Sequence, residues 1–242
     1  MKKKQRNHLS ISQVRQYLKC GMQYYFRYIE GLPSKPSGPM IRGSSVDEAA
    51  NMHFQGIIDN NKGLTKNQFV EAAVARHEQE SPETDWVNDR YGKDKSKDQT
   101  SLLAETYHKS HAKKFKPQAV QVKLEGTVKG EDFIGFADIL TTDGIVIDNK
   151  VKKNAVVGDL SRDIQLVKYA ELSGNRKVGL AVIADIKEPR AYYYQETITQ
   201  QDINVANQRI AWAKAGIDLG VFLPVEEGHW VCSAKWCAYY SA

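Results

Sequence analysis

The chain has 242 residues, 41% of them hydrophobic and 26% charged, with 34 Lys and Arg against 29 Asp and Glu for a formal net charge of +5. That length and mix fit one domain, or one domain with a sizeable insertion, able to bury a core without disulfide staples. No stretch approaches the ~20 apolar residues needed to cross a bilayer. The basic start at residues 1–6 leads into His8, Ser10, Ser12 and Gln13 rather than an apolar run, which does not read as a signal peptide. The expected setting is therefore the cytoplasm, with no membrane partner. The mild basicity permits a polyanionic partner without requiring one.

In chain order, residues 8–31 read as helix, with Ser10 or Ser12 as cap and Val14, Tyr17 and Leu18 at helical spacing. A loop rich in Gly and Pro follows. Helices are expected at 44–59 and 65–80, and residues 81–97 turn polar and charged, the pattern of a mobile excursion. Helical spacing returns at 100–115 and stops at Pro117. Runs rich in Val, Ile, Thr and Phe at 119–128, 131–141 and 144–151 predict strands, the last two joined by Asp143-Gly144, a strong hairpin signal. A helix at about 160–173, strands near 177–184 and 190–197, and a helix at 200–215 complete the pattern. This is an α/β (α+β) chain with a central mixed sheet flanked by helices.

The chemistry concentrates in Gly135-Phe136-Ala137-Asp138-Ile139-Leu140 and Ile145-Val146-Ile147-Asp148-Asn149-Lys150. Each strand of the hairpin delivers one carboxylate. Asp148 and Lys150 are two apart on one strand and so leave the same face, which Asp138 can reach from its neighbour. Two carboxylates converging at a sheet suit a hard cation such as Mg²⁺. A lysine beside them can hold a water or neutralise charge developing on a phosphorane. A D-x-K triplet alone arises by chance in any charged protein. Here Asp148 ends the apolar run Ile145-Val146-Ile147, where an acidic side chain needs a partner or a metal. The other groups are less specific. Glu125 could face the site from the preceding strand. His108 and His111 show no trustworthy metal spacing, and Lys109, Lys113, Lys114 and Lys116 form a basic cluster that would suit a DNA backbone or simply a solvated helix face.

The segment 138–150 resembles the signature of PD-(D/E)XK nucleases, and the chain over about residues 9–240 resembles the RecB-like exonuclease family, which includes CRISPR-associated and phage-encoded members. Leu9-Ser10-Ile11-Ser12 through Cys20 resembles its opening helix, and Arg42-Gly43-Ser44-Ser45-Val46-Asp47-Glu48-Ala49 its Gly-x-x-x-His helix start. Gln165-Leu166-x-x-Tyr169-Ala170 resembles its Gln-x-x-x-Tyr helix, and Trp230-x-Cys232-x-x-x-x-Cys237 its C-terminal cysteine motif. The resemblance implies a restriction-endonuclease-like core at about 117–215, an N-terminal helical part at about 8–116 and a cysteine segment at about 216–242, all in one nuclease domain over 1–242. It implies a Mg²⁺- or Mn²⁺-dependent DNA nuclease, probing single strands or duplex ends as an exonuclease, with recombination, CRISPR or phage proteins as partners. Asp47, Asp138, Asp148 and the Asn149 carbonyl would hold the metal, and Asp138, Asp148, Lys150, Gln165 and Tyr169 would form the catalytic set. Two departures stand out. Asp47 replaces the family's usual His, which leaves open a catalytically weakened DNA-binding or interaction protein on the same scaffold. Cys20, Cys232 and Cys237 match three of the four cysteines that hold a 4Fe–4S cluster in relatives; the fourth is expected a few residues beyond Cys237, where this sequence ends at Ala242.

Overall fold

The structure is a computed structural model that describes residues 9–128 and 130–240; the basic start at 1–6 lies outside the described residues. Strand β1 (Leu9–Ser10) runs into helix α1 (Ile11–Lys19), followed by a short helix α2 (Gly21–Tyr24) and a π-helical turn at Tyr25–Ile29. Helices α3 (Gly38–Asn60), α4 (Lys66–Glu80) and α5 (Gly92–Ser110) come next. Then follow β2 (Pro117–Val128), β3 (Glu131–Thr141), β4 (Ile145–Lys152), α6 (Ile164–Ser173), β5 (Lys177–Ala184), β6 (Arg190–Thr197) and α7 (Gln200–Asp218). The architecture agrees with the mixed sheet and flanking helices expected from the sequence.

The six strands form one sheet in the order β1-β3-β4-β5-β6, with β2 paired to β3. β2 covers one edge of β3 along its length, so β4 and β1 share the other edge in succession, at Ile139/Leu140 and at Phe133/Ile134. β4 and β5 are parallel neighbours in the middle, and β5 is buried from Val178 to Ala184. A strand covered on both faces needs such a continuous apolar run. On one face the residues of α1, α6 and α7 pack with Leu124, Phe133, Val146 and Leu180. On the other, Phe54, Phe69 and Leu103 from α3, α4 and α5 pack with Ile139, Ile147 and Ile183.

Three sequence expectations need correction. The helix at 8–31 is broken: Ser10 caps α1 through a capping box, and Cys20, at φ −165° and ψ 113°, interrupts it after Lys19. The helix expected at 44–59 starts six residues earlier, with Pro39 in its first turn, where a missing N–H costs nothing. The stretch 81–97 is no loose excursion. Asp85 N–H donates to the Pro36 carbonyl at 2.8 Å, and α5 begins at Gly92 instead of near 100. Its charges are drawn inward. The Arg42 guanidinium, 1% exposed, pairs with Asp89 at 2.9 Å and Asp185 at 3.0 Å and receives the Ser96 hydroxyl as acceptor at 2.9 Å. Gln99 and Arg90 complete the shell around Asp185, at 3.0 and 3.2 Å. This network ties α3, the 84–91 segment and α5 to the end of β5.

Removing Arg42 would strand two buried carboxylates. Arg42→Met is expected to destabilise the fold by about 3–5 kcal/mol, the usual consequence of breaking a buried ion pair from one side. Urea unfolding checks this; a change under about 1 kcal/mol, the scale of an exposed pair, would contradict it.

Candidate active site

The hairpin turn at Thr142–Asp143 is closed by Gly144 N–H donating to the Thr141 carbonyl at 3.0 Å, with Gly144 at φ 75°, a conformation glycine adopts freely. From there the β3–β4 ladder pairs Leu140 with Val146 and Ile139 with Ile147, then stops. The next pair in register would be Asp138 opposite Asp148, two like charges face to face, an arrangement that destabilises a ladder. The strands part at that point. The Asn149 N–H, left without a strand partner, donates to Asp138 Oδ2 at 2.7 Å instead. Ala137 packs in the α1/α6/α7 cluster and Ile139 in the opposite one, so β3 changes facing across Asp138. On β2, Gln121 adopts φ 47° and its Nε2 reaches Asp138 Oδ1 at 3.4 Å. A local strand distortion that re-aims one side chain beside a site is a recurrent device.

Asp148 is 2% exposed, and both its oxygens have partners. Lys150 Nζ lies 2.7 Å from Oδ2, and Gln165 Nε2 donates to Oδ1 at 2.9 Å. Lys150 thus projects from the strand face that carries Asp148, as the two-residue period dictates. Gln165 and Tyr169 share one face of α6, with Gln165 Nε2 also 2.9 Å from the Tyr169 hydroxyl, and Arg15 of α1 donates to Gln165 Oε1 and lies 3.6 Å from Asp163. Gly135 leaves room for this group: a Cβ there would stand 2.7 Å from the Tyr169 ring and 3.1 Å from Ile11. Across the site, Asn149 Nδ2 donates to Asp47 Oδ1 at 3.2 Å, and the buried Tyr107 hydroxyl donates to Asn149 Oδ1 at 2.8 Å. A cavity of about 360 Å³ opens between α3 and the splayed strands, bordered by Met40, Asp47, Tyr107, Asp138, Asn149 and Lys150.

The charges are unbalanced. Burial, with Asp47 and Asp148 as negative neighbours, pushes the Asp138 pKa up to about 8. Burial also raises Asp47 and Asp148, against the lowering pull of Asn149 on the first and Lys150 on the second. Burial works against the Lys150 ammonium, but Asp148 and Asp138 outweigh it and hold its pKa above the ordinary lysine value. Three carboxylates thus interact with one ammonium in a partly buried site, and their oxygens are of the kind that suits a hard divalent cation. Among the described residues, no three His, Cys, Asp or Glu side chains converge as a ready-made cage. Mg²⁺ seldom needs one, since it is commonly held by one or two carboxylates with water and phosphate completing its shell.

Asp47, Asp138, Asp148, Asn149, Lys150, Gln165 and Tyr169 therefore come together, and Tyr107, Arg15 and Gln121 join them unforeseen. No spacing in the sequence links Arg15 to Gln165; only the β1–α1 start, placed beside β3, does so. Glu125 does not join: it is exposed on β2, opposite Ile134, and paired with Lys123 at 2.6 Å. Nor does the structure gather Cys20, Cys232 and Cys237 into a ligating group. All three are free, the first buried, the second exposed and the third half-buried. The C-terminal segment does return to the N-terminal helices, but through other contacts: Tyr239 against Phe26 with centroids 5.7 Å apart, and Gln23 Nε2 to the Val231 carbonyl at 3.4 Å. In the basic cluster, Lys109 is paired with Glu105 at 2.9 Å and Lys114 sits over Tyr193, ordinary surface arrangements.

The description of the PD-(D/E)XK nuclease superfamily matches residues 8–242, and the chain belongs to that superfamily, a class of hydrolases acting on phosphodiester bonds. A crystal structure from Eubacterium rectale, provisionally named an exonuclease, is similar in fold, with a TM-score of 0.61 and 15% identity over 90% of this chain and 84% of that one. The crystal structure of SSO0001 is a looser likeness, with a TM-score of 0.46 and 15% identity over 99% and 86%. Among curated proteins, none matches this sequence. Among the described residues, no helix is long and apolar enough to cross a membrane.

The strained carboxylate gives a pH signature. Because the folded state raises the Asp138 pKa from 3.8 to about 8, it favours the protonated form, and that stability is lost as pH rises through this window. Asp138→Asn, which keeps an acceptor for Asn149 N–H, is expected to stabilise the protein in EDTA. The gain should grow by at least about 1 kcal/mol between about pH 4 and pH 8. Urea denaturation at both values checks this; a gain independent of pH would contradict it.

Proposed function

We propose that this protein is a Mg²⁺- or Mn²⁺-dependent deoxyribonuclease that works as an exonuclease from DNA ends or single strands. The observation that carries the reading is that Asp138 and Lys150 border an open cavity, with Lys150, on the next strand, held 2.7 Å from the buried Asp148. Superfamily membership supports the phosphodiester bond as target. The net charge of +5 agrees with a polyanionic substrate, and the provisional name of the Eubacterium rectale neighbour favours the exonuclease mode.

Asp138 and Asp148 would hold the cation, with Asp47 and the Asn149 carbonyl as further oxygen donors. When bound, the metal supplies a Lewis acid for the phosphate and lowers the pKa of a water. The chain's own residues do the rest. Lys150 places an ammonium where negative charge grows on the non-bridging oxygens and orients the attacking water. Gln165 fixes the rotamer of Asp148 and is itself fixed by Tyr169 and Arg15. Tyr107 sets the amide of Asn149, which in turn orients Asp47.

The test is a cleavage assay on end-labelled single- and double-stranded DNA with Mg²⁺, Mn²⁺ or EDTA. Asp138→Ala and Asp148→Ala are each expected to abolish cleavage while DNA binding persists. Lys150→Met is expected to lower turnover by about 10²-fold or more, the scale of losing one preorganised electrostatic group. Cleavage by either aspartate variant within a few-fold of the parent would refute the site. A parent that binds DNA and never cuts it would favour the weakened, binding-only scaffold.

A further inference from the structure

The C-terminal segment carries a feature that the carboxylate site does not use. Trp230, Trp236 and Tyr240 are 57%, 53% and 55% exposed, and the two tryptophans meet edge to face with centroids 5.5 Å apart. Exposed tryptophans concentrated in one short segment are uncommon on a surface with no ligand for them. Each has a cation beside it. Lys19 Nζ lies 5.5 Å from the Trp230 ring centroid, and Lys235 Nζ lies 5.6 Å from that of Trp236. Among the described residues, neither Lys19 nor Lys235 has a carboxylate partner in an ion pair.

This patch is continuous with the site. Lys19 and Arg15 are four residues apart on α1 and so occupy one helix face, about 6 Å apart along the axis. Arg15 is bonded to Gln165, the side chain that grips Asp148. From the half-buried Gln165, which holds the buried Asp148, a line of groups therefore runs outward through the exposed Arg15 and Lys19 to Trp230 and Trp236, passing from cations to flat aromatic surfaces.

We infer that this line is a binding track for unpaired DNA, in which Trp230 and Trp236 stack bases while Arg15, Lys19 and Lys235 neutralise the phosphates between them and the carboxylate site. The inference rests on the nuclease reading above and narrows its substrate to a single strand or a frayed end. Aromatic faces recognise a base only once it has left the double helix, because in a duplex each base face is covered by its neighbours. Stacking tolerates every base, so the track would select strandedness and not sequence. The exposed cations beside the rings disfavour an apolar peptide as the occupant, since burying them against it would desolvate charge without a counter-ion.

The experiment measures binding in EDTA, where the proposed chemistry is idle, by fluorescence anisotropy. The probes are a labelled short oligothymidylate, the same backbone without bases, and a blunt duplex. The Trp230→Ala/Trp236→Ala double variant is expected to bind oligothymidylate at least about tenfold more weakly than the parent, with duplex binding unchanged. The Trp230→Phe/Trp236→Phe variant, which keeps flat rings, should recover most of the affinity, and oligothymidylate should quench the parent's tryptophan fluorescence. Binding of oligothymidylate by the double alanine variant within about twofold of the parent would overturn the track, as would equal parental affinity for the abasic strand. A parent that pairs with a second copy through these tryptophans, seen by light scattering as loss of a dimer in the alanine variant with oligothymidylate affinity intact, would also overturn it. The two readings fail separately. Lys150-dependent cleavage by a chain whose tryptophans do not matter keeps the nuclease and removes the track, whereas tryptophan-dependent binding by a chain that never cleaves keeps the track and removes the nuclease.

Discussion

Two carboxylates that would face each other across a strand ladder, one buried and one half-buried, set the terms for the rest of this molecule. In register, Asp138 and Asp148 are the pair that follows Ile139 and Ile147, and the ladder ends before it reaches them. The strands part, Asn149 takes Asp138 as the acceptor its N–H lacks, and the gap becomes the floor of a cavity. The cavity and the charge that fills it have one origin.

Holding that arrangement takes support from every layer. From the α1/α6 side, Gln165, Tyr169 and Arg15 brace Asp148, with Gly135 leaving the space that Tyr169 occupies. From the α3/α5 side, Tyr107 and Asn149 brace Asp47. The buried Arg42 cluster anchors the start of α3 to the end of β5, one turn and a half before Asp47 on the same helix. Its ion pairs contribute orientation more than net stability, since desolvation offsets much of their attraction. What they fix is the position of α3 relative to the central strands, on which the width of the cavity depends.

Much of this was legible in the sequence because it depends on local rules. Asp143-Gly144 between two apolar runs marks the hairpin, the two-residue period puts Lys150 beside Asp148, and the run Ile145-Val146-Ile147 announces a buried strand whose terminal acid must have a purpose. The four-residue spacing of Gln165 and Tyr169 is equally local. What escaped depends on pairings distant in sequence. Asp89 and Asp185 look like solvated charges until Arg42 is placed between them, which is why 81–97 reads as loose chain. Cys20 breaks α1 although nothing in its neighbours forbids a helix. Gln121 adopts a left-handed backbone without being glycine, and its reason, the re-aimed Asp138, lies on another strand. The cysteine motif is a separate case. The segment does return to α1 and α2, as the motif implies, but aromatic and hydrogen-bonded contacts make the junction.

The claim on which all of this depends is that the excess of negative charge at Asp47, Asp138 and Asp148 exists to be met by a cation. Isothermal titration of the EDTA-stripped, dialysed protein with MnCl₂ at pH 8 measures it without reference to any substrate. Saturable, near-stoichiometric binding by the parent, lost in both Asp138→Asn and Asp148→Asn, is the predicted result. No saturable heat from the parent, or equal binding by the two asparagine variants, would contradict it.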